Sequence, residues 1–397
     1  MAINILQINT ADTKGGAAKI AYLLKNGLEK RGHLTSMFVG RKYSDDENVH
    51  LLNDTQSLSG KIRRKLAYYL ANDIEIFRSD KLLEAKEFKR ADIVHCHNLH
   101  SYYFNLKTLV KIVRQKPVVW TMHDMWPLTA HCAHSFGGEV KNGFFQCPNK
   151  TIFPPIAWHN EKHLENLKRK VYREVNFHIV TPSDWLKDKV SQSVLRDKPT
   201  SLVYNGVDID VFKPQIKARA RAELGLPPDK KIILSVIKKG QSNPWKGPDY
   251  LAAAITRYHN NPDIAFVNIG SDIPFVKSQT TLAKYYSAAD ILLYPSIADN
   301  CPLVVLEAQA CGLPVVAFRT GGIPEIIEHE KTGYITDYRN LDDLKRGINF
   351  ILSLPDNILT EFKDRSISNM LQKFTLDIMT DKYLEIYKEE MANVPRE

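Results

Sequence analysis

Residues 291–316 read Ile-Leu-Leu-Tyr-Pro-Ser-Ile-Ala-Asp-Asn-Cys-Pro-Leu-Val-Val-Leu-Glu-Ala-Gln-Ala-Cys-Gly-Leu-Pro-Val-Val. An apolar run ends at Pro295, and a polar loop carries Asp299 and Asn300. A helix begins near Pro302, where proline suits the first turn, and a second apolar run opens at Pro314. Strand, loop, helix and strand in this order form the repeating unit of a parallel sheet with helices on both faces.

The same unit recurs on either side. Ile3–Ile8 is a strand-like run, Thr10–Gly16 a polar loop, and Ala17–Lys30 a helix with apolar spacing at Ile20, Leu23, Leu24 and Leu28. Gly32 closes that helix, and Thr35–Val39 is the next strand. Further strands are predicted at 91–95, 117–121, 177–181 and 201–204. After Leu226-Pro227-Pro228-Asp229 the series restarts at 231–236 and continues at 265–269, 291–294, 314–317 and 333–335. Two Rossmann-like α/β domains follow, joined near Asn205–Pro214: residues 1–204, residues 205–375, and a terminal helix in 376–397 with apolar spacing at Met379, Tyr383, Leu384 and Tyr387.

The chain has 397 residues, 44% of them hydrophobic and 25% charged, as in ordinary globular proteins. No stretch approaches the ~18 apolar residues of a membrane span. The opening residues lack the cationic region of a signal peptide. Five cysteines over this length make no disulfide framework and point to a reducing cytoplasm. The net charge of +9 is uneven: residues 1–200 hold 31 Lys and Arg against 20 Asp and Glu. A basic half suits an anionic partner such as a phosphorylated substrate or anionic lipid. Solvated lysine-rich helices would look the same.

Gly15-Gly16-Ala17 stands between a strand and a helix, where backbone N–H groups can approach an anion. A plain turn would read identically, and the string is not the G-x-G-x-x-G of a dinucleotide site. Asp299 and Glu307 could bracket one polar ligand, with the N–H groups of Leu303 and Val304 facing a phosphate. Taken alone, Asp299 could equally cap the helix and Glu307 be solvated.

Several strings in order resolve this. Asp299 and Glu307, then Ala310-Cys311-Gly312-Leu313-Pro314-Val315-Val316-Ala317 and Gly321-Gly322-Ile323-Pro324-Glu325-Ile326, resemble glycosyltransferase family 4. Thr121-Met122-His123-Asp124-Met125-Trp126-Pro127, Thr181-Pro182-Ser183, Asn205-Gly206-Val207-Asp208 and Lys246-Gly247 fall in the family's order. The resemblance covers nearly the whole chain and is nearest the bacterial surface-polysaccharide branch.

It implies the GT-B fold, two Rossmann-like domains facing a cleft, and a retaining, metal-independent transfer from a nucleotide-sugar to a glycan or lipid-linked acceptor. UDP-sugar is favoured as donor, with GDP-sugar the alternative. On this resemblance Glu307 binds ribose, Asp299 lies by the transferred sugar, Asn300 belongs to the donor site, and Leu303 and Val304 offer N–H groups to the diphosphate or sugar. Lys246 stabilises the leaving group, and Lys238 stands in for a family arginine. Asp299 replaces the family's glutamate, one methylene shorter. His123 matches a histidine near donor sugar and acceptor, Gly16 closes on the diphosphate or sugar, and Gly15 is counted with it in the donor site. His97, Asn98, Asp124 and Trp126 are expected on the acceptor side, with His123 and Asp124 a hydrogen-bonding couple. The terminal helix is expected to return to the first domain.

No cofactor or metal is expected. Asp208-Ile209-Asp210 falls in the interdomain connection. Cys132, His134 and Cys147 lack paired C-x2-C spacing, so polar acceptor lining is favoured over structural zinc. The cationic stretches 61–66 and 167–173 interleave apolar residues and suit an anionic membrane, which gives a cytoplasmic protein, peripheral at the inner face of the plasma membrane. No nucleic-acid module accompanies the charge. A GT-B epimerase, a phosphorylase or a non-catalytic nucleotide-sugar-binding scaffold are the alternatives.

Overall fold

The computed structural model describes residues 2–53, 55–237 and 244–393. The chain divides into two compact units, one of residues 1–203 with 379–397, the other of residues 204–378.

The first unit carries β1 (Asn4–Ala11), β2 (Leu34–Arg41), β3 (Val49–Leu51), β4 (Ile93–Cys96) and β5 (Val118–Thr121), a small hairpin of β6 (Val140–Lys141) and β7 (Phe144–Phe145), then β8 (His178–Thr181) and β9 (Thr200–Leu202). Seven of these form one sheet in the order β3-β2-β1-β4-β5-β8-β9, every pair parallel. The central strands β4, β5 and β8 are buried along their length, as expected where helices cover both faces. The second unit carries β10 (Lys231–Val236), β11 (Ile264–Ile269), β12 (Ile291–Tyr294), β13 (Val315–Phe318) and β14 (Gly333–Thr336). They make a parallel sheet in the order β11-β10-β12-β13-β14.

In each sheet the order reverses once, between β1 and β4 and between β10 and β12. A ligand in an open parallel sheet sits outside the strand C-termini at such a point. The strands read from the sequence occupy their expected places. The edge strand β3 and the β6–β7 hairpin have only three and two residues per strand, too few to show a period.

The helix Leu376–Ala392 runs from the second unit into the first. There the Tyr387 hydroxyl lies 2.6 Å from His95 Nδ1, and Thr121 Oγ1 lies 2.8 Å from both His95 Nε2 and the Tyr383 hydroxyl. All four side chains are buried, so each polar atom needs its neighbour. On the same helix Thr380 packs on Gly27, where a Cβ would come within 2.4 Å of its hydroxyl.

Two expectations about the basic half are corrected here. Lys168, within the supposed cationic surface 167–173, is fully buried. Its ammonium donates to the carbonyls of Trp126 and Thr129 and lies 3.6 Å from the centre of the Trp126 ring. Burial pushes its pKa down to about 7, with Asp73 and Asp124 working against that shift. Cys132 and Cys147 form a disulfide, where the cysteine count gave no reason for one. Both sulfurs are thereby consumed, and among the described residues no group of three His, Cys, Asp or Glu side chains could hold a metal.

Burial holds the His95 imidazole well below its ordinary value of 6.5, hence neutral. On acidification the unfolded chain takes up this proton first. The stability contributed by neutral His95 is therefore present above about pH 6.5 and is lost as pH falls toward its folded value. We expect the thermal midpoint to fall from about pH 7 to about pH 5 more steeply in wild type than in His95→Gln, which keeps hydrogen-bonding capacity without titrating. Parallel slopes in thermal melts would remove His95 as the cause.

Candidate active site

In the second unit the loop after β12 is built by close backbone approach. Gly247 (φ 68°) faces the Pro295 carbonyl, and Gly321 (φ 53°) faces that of Asp299. A Cβ at either position would come within 2.0 Å of the oxygen, so only glycine fits. The Ile297 N–H and the Ser296 hydroxyl bond to the Trp245 carbonyl at 2.7 and 3.1 Å. Gly322 N–H reaches the Asn300 carbonyl at 2.8 Å, and Asn205 Nδ2 the Cys301 carbonyl at 2.9 Å.

This stitching sets the side chains. Lys246 Nζ donates to Asp299 Oδ2 and, at 2.7 Å, to the Tyr294 hydroxyl, while Tyr294 donates to the same Oδ2. The loop after β10 and the loop after β12 thus meet through an ion pair at the point where the strand order reverses. Burial works against the Lys246 ammonium, and the Asp299 carboxylate more than offsets it, so its pKa is raised. Burial and the same carboxylate hold the Tyr294 phenol protonated. Among the described residues two of the three Lys246 protons have partners, leaving one donor for a ligand.

The helix Leu303–Ala310 starts at the end of this loop and has no acid in its first turn. At its start the Val305 and Leu306 N–H groups bond to the Pro302 carbonyl, and among the described residues Leu303 and Val304 present the outward N–H groups typical of a helix start. Glu307 is buried in its second turn and accepts from the Tyr286 hydroxyl at 2.8 Å. Lys238 lies outside the described residues.

In the first unit, β1 ends in a loop fixed by Asp12, whose carboxylate accepts the N–H groups of Thr13, Tyr43 and Ser44. Burial opposes its charge and these hydrogen bonds outweigh it, keeping it ionised. Gly15 (φ 110°) then turns into the helix Gly16–Lys30, which also has no acid in its first turn. A Cβ at Gly16 would meet nothing within 4 Å. Among the described residues nothing demands glycine at 16, and the backbone there is open.

Beside it, Asn9 Oδ1 accepts the Asn98 N–H at 3.2 Å, and Thr10 Oγ1 donates to the Asn98 and His100 carbonyls. These bonds tie the loop after β4 to the end of β1. His97 Nδ1 lies 3.0 Å from His123 Nε2, and the two rings stack. His97 is buried and packs on His95 with centroids 4.1 Å apart, while His123 is half-buried. Burial pushes His123 down to about 4, with Asp124 working the other way, and holds His97 well below the histidine range. The result is a neutral imidazole column with its outer ring near the surface.

The carboxylate of Asp124 turns elsewhere, to His100 Nε2 at 2.9 Å and the Trp126 N–H at 2.9 Å. The expected His123–Asp124 couple is therefore corrected: His123 pairs with His97, and Asp124 fixes the loop. Trp126 lies in the core under Lys168, not on a surface that an acceptor could touch. Asn98 remains half-buried at the loop. Sequence reading gave no role to Tyr294, Tyr286 or His95. Tyr294 could have been marked by its place at a strand C-terminus, whereas Tyr286 precedes Glu307 by 21 residues and carries no local signal.

Residues 14–211 match the family description "Glycosyltransferase Family 4" and residues 267–369 "Glycosyl transferases group 1". A D-inositol 3-phosphate glycosyltransferase of Mycobacteroides abscessus is 29% identical over 83% of this chain and 76% of its own. The "Putative colanic acid biosynthesis glycosyl transferase WcaC" of Escherichia coli is 26% identical over 82% and 85%. Among solved structures, sucrose-phosphate synthase of Thermosynechococcus elongatus superposes with a TM-score of 0.69 at 18% identity, covering 98% of this chain and all of the other. Anabaena HepE in complex with UDP gives 0.65 at 16% identity, covering 98% and 100%. Two parallel sheets with this strand order, the glycine-built Lys246–Asp299 loop and both family matches lead to one conclusion: the chain is a GT-B protein and belongs to glycosyltransferase family 4.

Proposed function

We propose that the chain transfers a sugar, with retention of configuration, from a nucleoside-diphosphate donor to a glycan or lipid-linked acceptor in surface-polysaccharide synthesis, without a divalent metal. The observation that carries this reading is the Lys246 ammonium, pinned by Asp299 and Tyr294 beside a helix start that has no acid of its own. Cation and helix dipole together suit a diphosphate, and both act without a metal. Glu307, one turn further on, would accept the ribose hydroxyls. Two of the relatives, a D-inositol 3-phosphate glycosyltransferase and a putative colanic acid biosynthesis glycosyltransferase, support an acceptor rich in hydroxyl groups. UDP in the HepE complex supports uridine over guanosine.

In this reading the bond from the anomeric carbon to the diphosphate breaks while Lys246 and the Leu303 and Val304 N–H groups take up the charge that develops on the leaving oxygen. The acceptor oxygen bonds to the anomeric carbon on the face the diphosphate leaves, and its proton passes to a phosphate oxygen. His123, neutral at physiological pH, donates or accepts a hydrogen bond and adds no charge. Asp299 acts as a positioning residue that fixes the Lys246 ammonium.

Three outcomes follow. UDP or its sugars should raise the thermal midpoint equally with and without EDTA, and Glu307→Gln should weaken that binding about tenfold. If no nucleotide shifts the midpoint, the donor assignment fails. Stabilisation without turnover on any acceptor would identify a nucleotide-sugar-binding scaffold. Lys246→Gln should lower kcat about a hundredfold, and an unchanged kcat would take Lys246 out of the reaction. Gly16→Ala should leave the midpoint unchanged or slightly raised, since the helix start accepts alanine without a clash. The same substitution should cut turnover about tenfold by blocking the open backbone. Full activity would show that no ligand approaches there.

A further inference from the structure

The helix Leu58–Tyr69 is amphipathic in an inverted sense. It begins at Ser57, whose side chain accepts the Gly60 N–H, and within it the residues that seat it on the domain are the small Gly60 and Ala67. Its large apolar residues point to solvent: Leu58 is 77% exposed, Ile62 61%, Leu66 49% and Tyr69 58%, with Leu70 following at 48%. At 3.6 residues per turn these five form one continuous stripe. Lys61 and Lys65 fall along one edge of the stripe and Arg63 along the other. The segment 58–69 contains no acid, and none of Lys61, Arg63, Arg64 and Lys65 has an ion-pair partner among the described residues.

Trp158 extends the stripe. Its indole N–H donates to the Tyr69 carbonyl at 2.9 Å, and its ring is half exposed. The Ala157 N–H bonds to the Tyr68 carbonyl. An aromatic residue with one polar tie and one bare face is the type found where a protein meets lipid headgroups.

A soluble surface seldom gathers so many large apolar side chains on one short helix. We infer that helix Leu58–Tyr69 is a docking element for an anionic lipid surface, its apolar stripe entering the headgroup–acyl boundary while Lys61, Arg63 and Lys65 lie at the phosphates. Charge complementarity selects this occupant: cations on both edges, unpaired among the described residues and with no acid within the helix, oppose a second copy of the same face by repulsion and attract an anionic bilayer. Among the described residues no helix is long and apolar enough to cross a membrane, so the contact lies in the plane of the interface. The other cationic segment, 167–173, is no part of it, because Leu167, Lys168, Val171 and Tyr172 are buried. The inference stands apart from the transferase reading, since docking needs no turnover.

The test is flotation of the full chain with vesicles of phosphatidylcholine alone or mixed with phosphatidylglycerol. Wild type should float with the mixed vesicles at low salt, be released at high salt and ignore the neutral vesicles. Ile62→Asp should weaken binding about tenfold or more. Each of Lys61→Gln, Arg63→Gln and Lys65→Gln should weaken it about fivefold and flatten the salt dependence. The thermal midpoint of each variant without vesicles should match that of wild type and report that it is folded. Failure of wild type to float with anionic vesicles, or equal flotation of Ile62→Asp, would overturn the inference. A dimer in solution that Ile62→Asp dissolves would assign the stripe to a second copy instead.

Discussion

A parallel sheet buried on both faces leaves its polar chemistry one place to go, the edge where the strand C-termini end. That constraint governs this molecule twice. In the second unit it brings the loops after β10 and β12 together, and the Lys246–Asp299 pair forms where they meet. In the first it brings the ends of β1 and β4 together, joined by Asn9, Thr10 and Asn98. Neither cluster could sit at the opposite edge, because the helix starts and open loops are at this one.

Holding a lysine and an aspartate in one partly buried place calls for a rigid support. Here the support is backbone rather than side chain. Gly247 and Gly321 let two chain segments touch the carbonyls of Pro295 and Asp299, and the hydrogen bonds from Ile297 and Gly322 lock the contact. Such a loop has little freedom to rearrange, which in the proposed transfer would keep the reorganisation cost of charge stabilisation low. The first unit uses a different device. A column of neutral histidines runs from the terminal helix through His95 and His97 to His123. Desolvation keeps the column uncharged, so it orients without adding a field.

The surface is divided as well. Of the two cationic stretches, one turns its apolar residues inward and buries a lysine over Trp126, and the other turns them outward. Their compositions are similar. What separates them is what they pack on: the helix Glu161–Glu174 has the Trp126–Thr129 segment beneath it, whereas the helix Leu58–Tyr69 rests on a strip only as wide as glycine and alanine.

The sequence by itself determined the α/β class, the two series of strands, the strand–loop–helix unit around Asp299 and Glu307, and the family. These are local features: apolar runs of fixed length, glycines at turns, and acids at fixed spacing on one helix. The tertiary structure alone decided which polar groups meet. The pairing of Lys246 with Asp299 spans 53 residues, that of His95 with Tyr387 spans 292, and that of Lys168 with the Trp126 carbonyl spans 42. It also decided that Cys132 meets Cys147, that Asp124 serves His100, and that Trp126 lies inside. The physical reason is range. Periodicity reports on a residue's own element, whereas a hydrogen bond or ion pair between distant segments depends on strand order and helix packing, which no local pattern encodes.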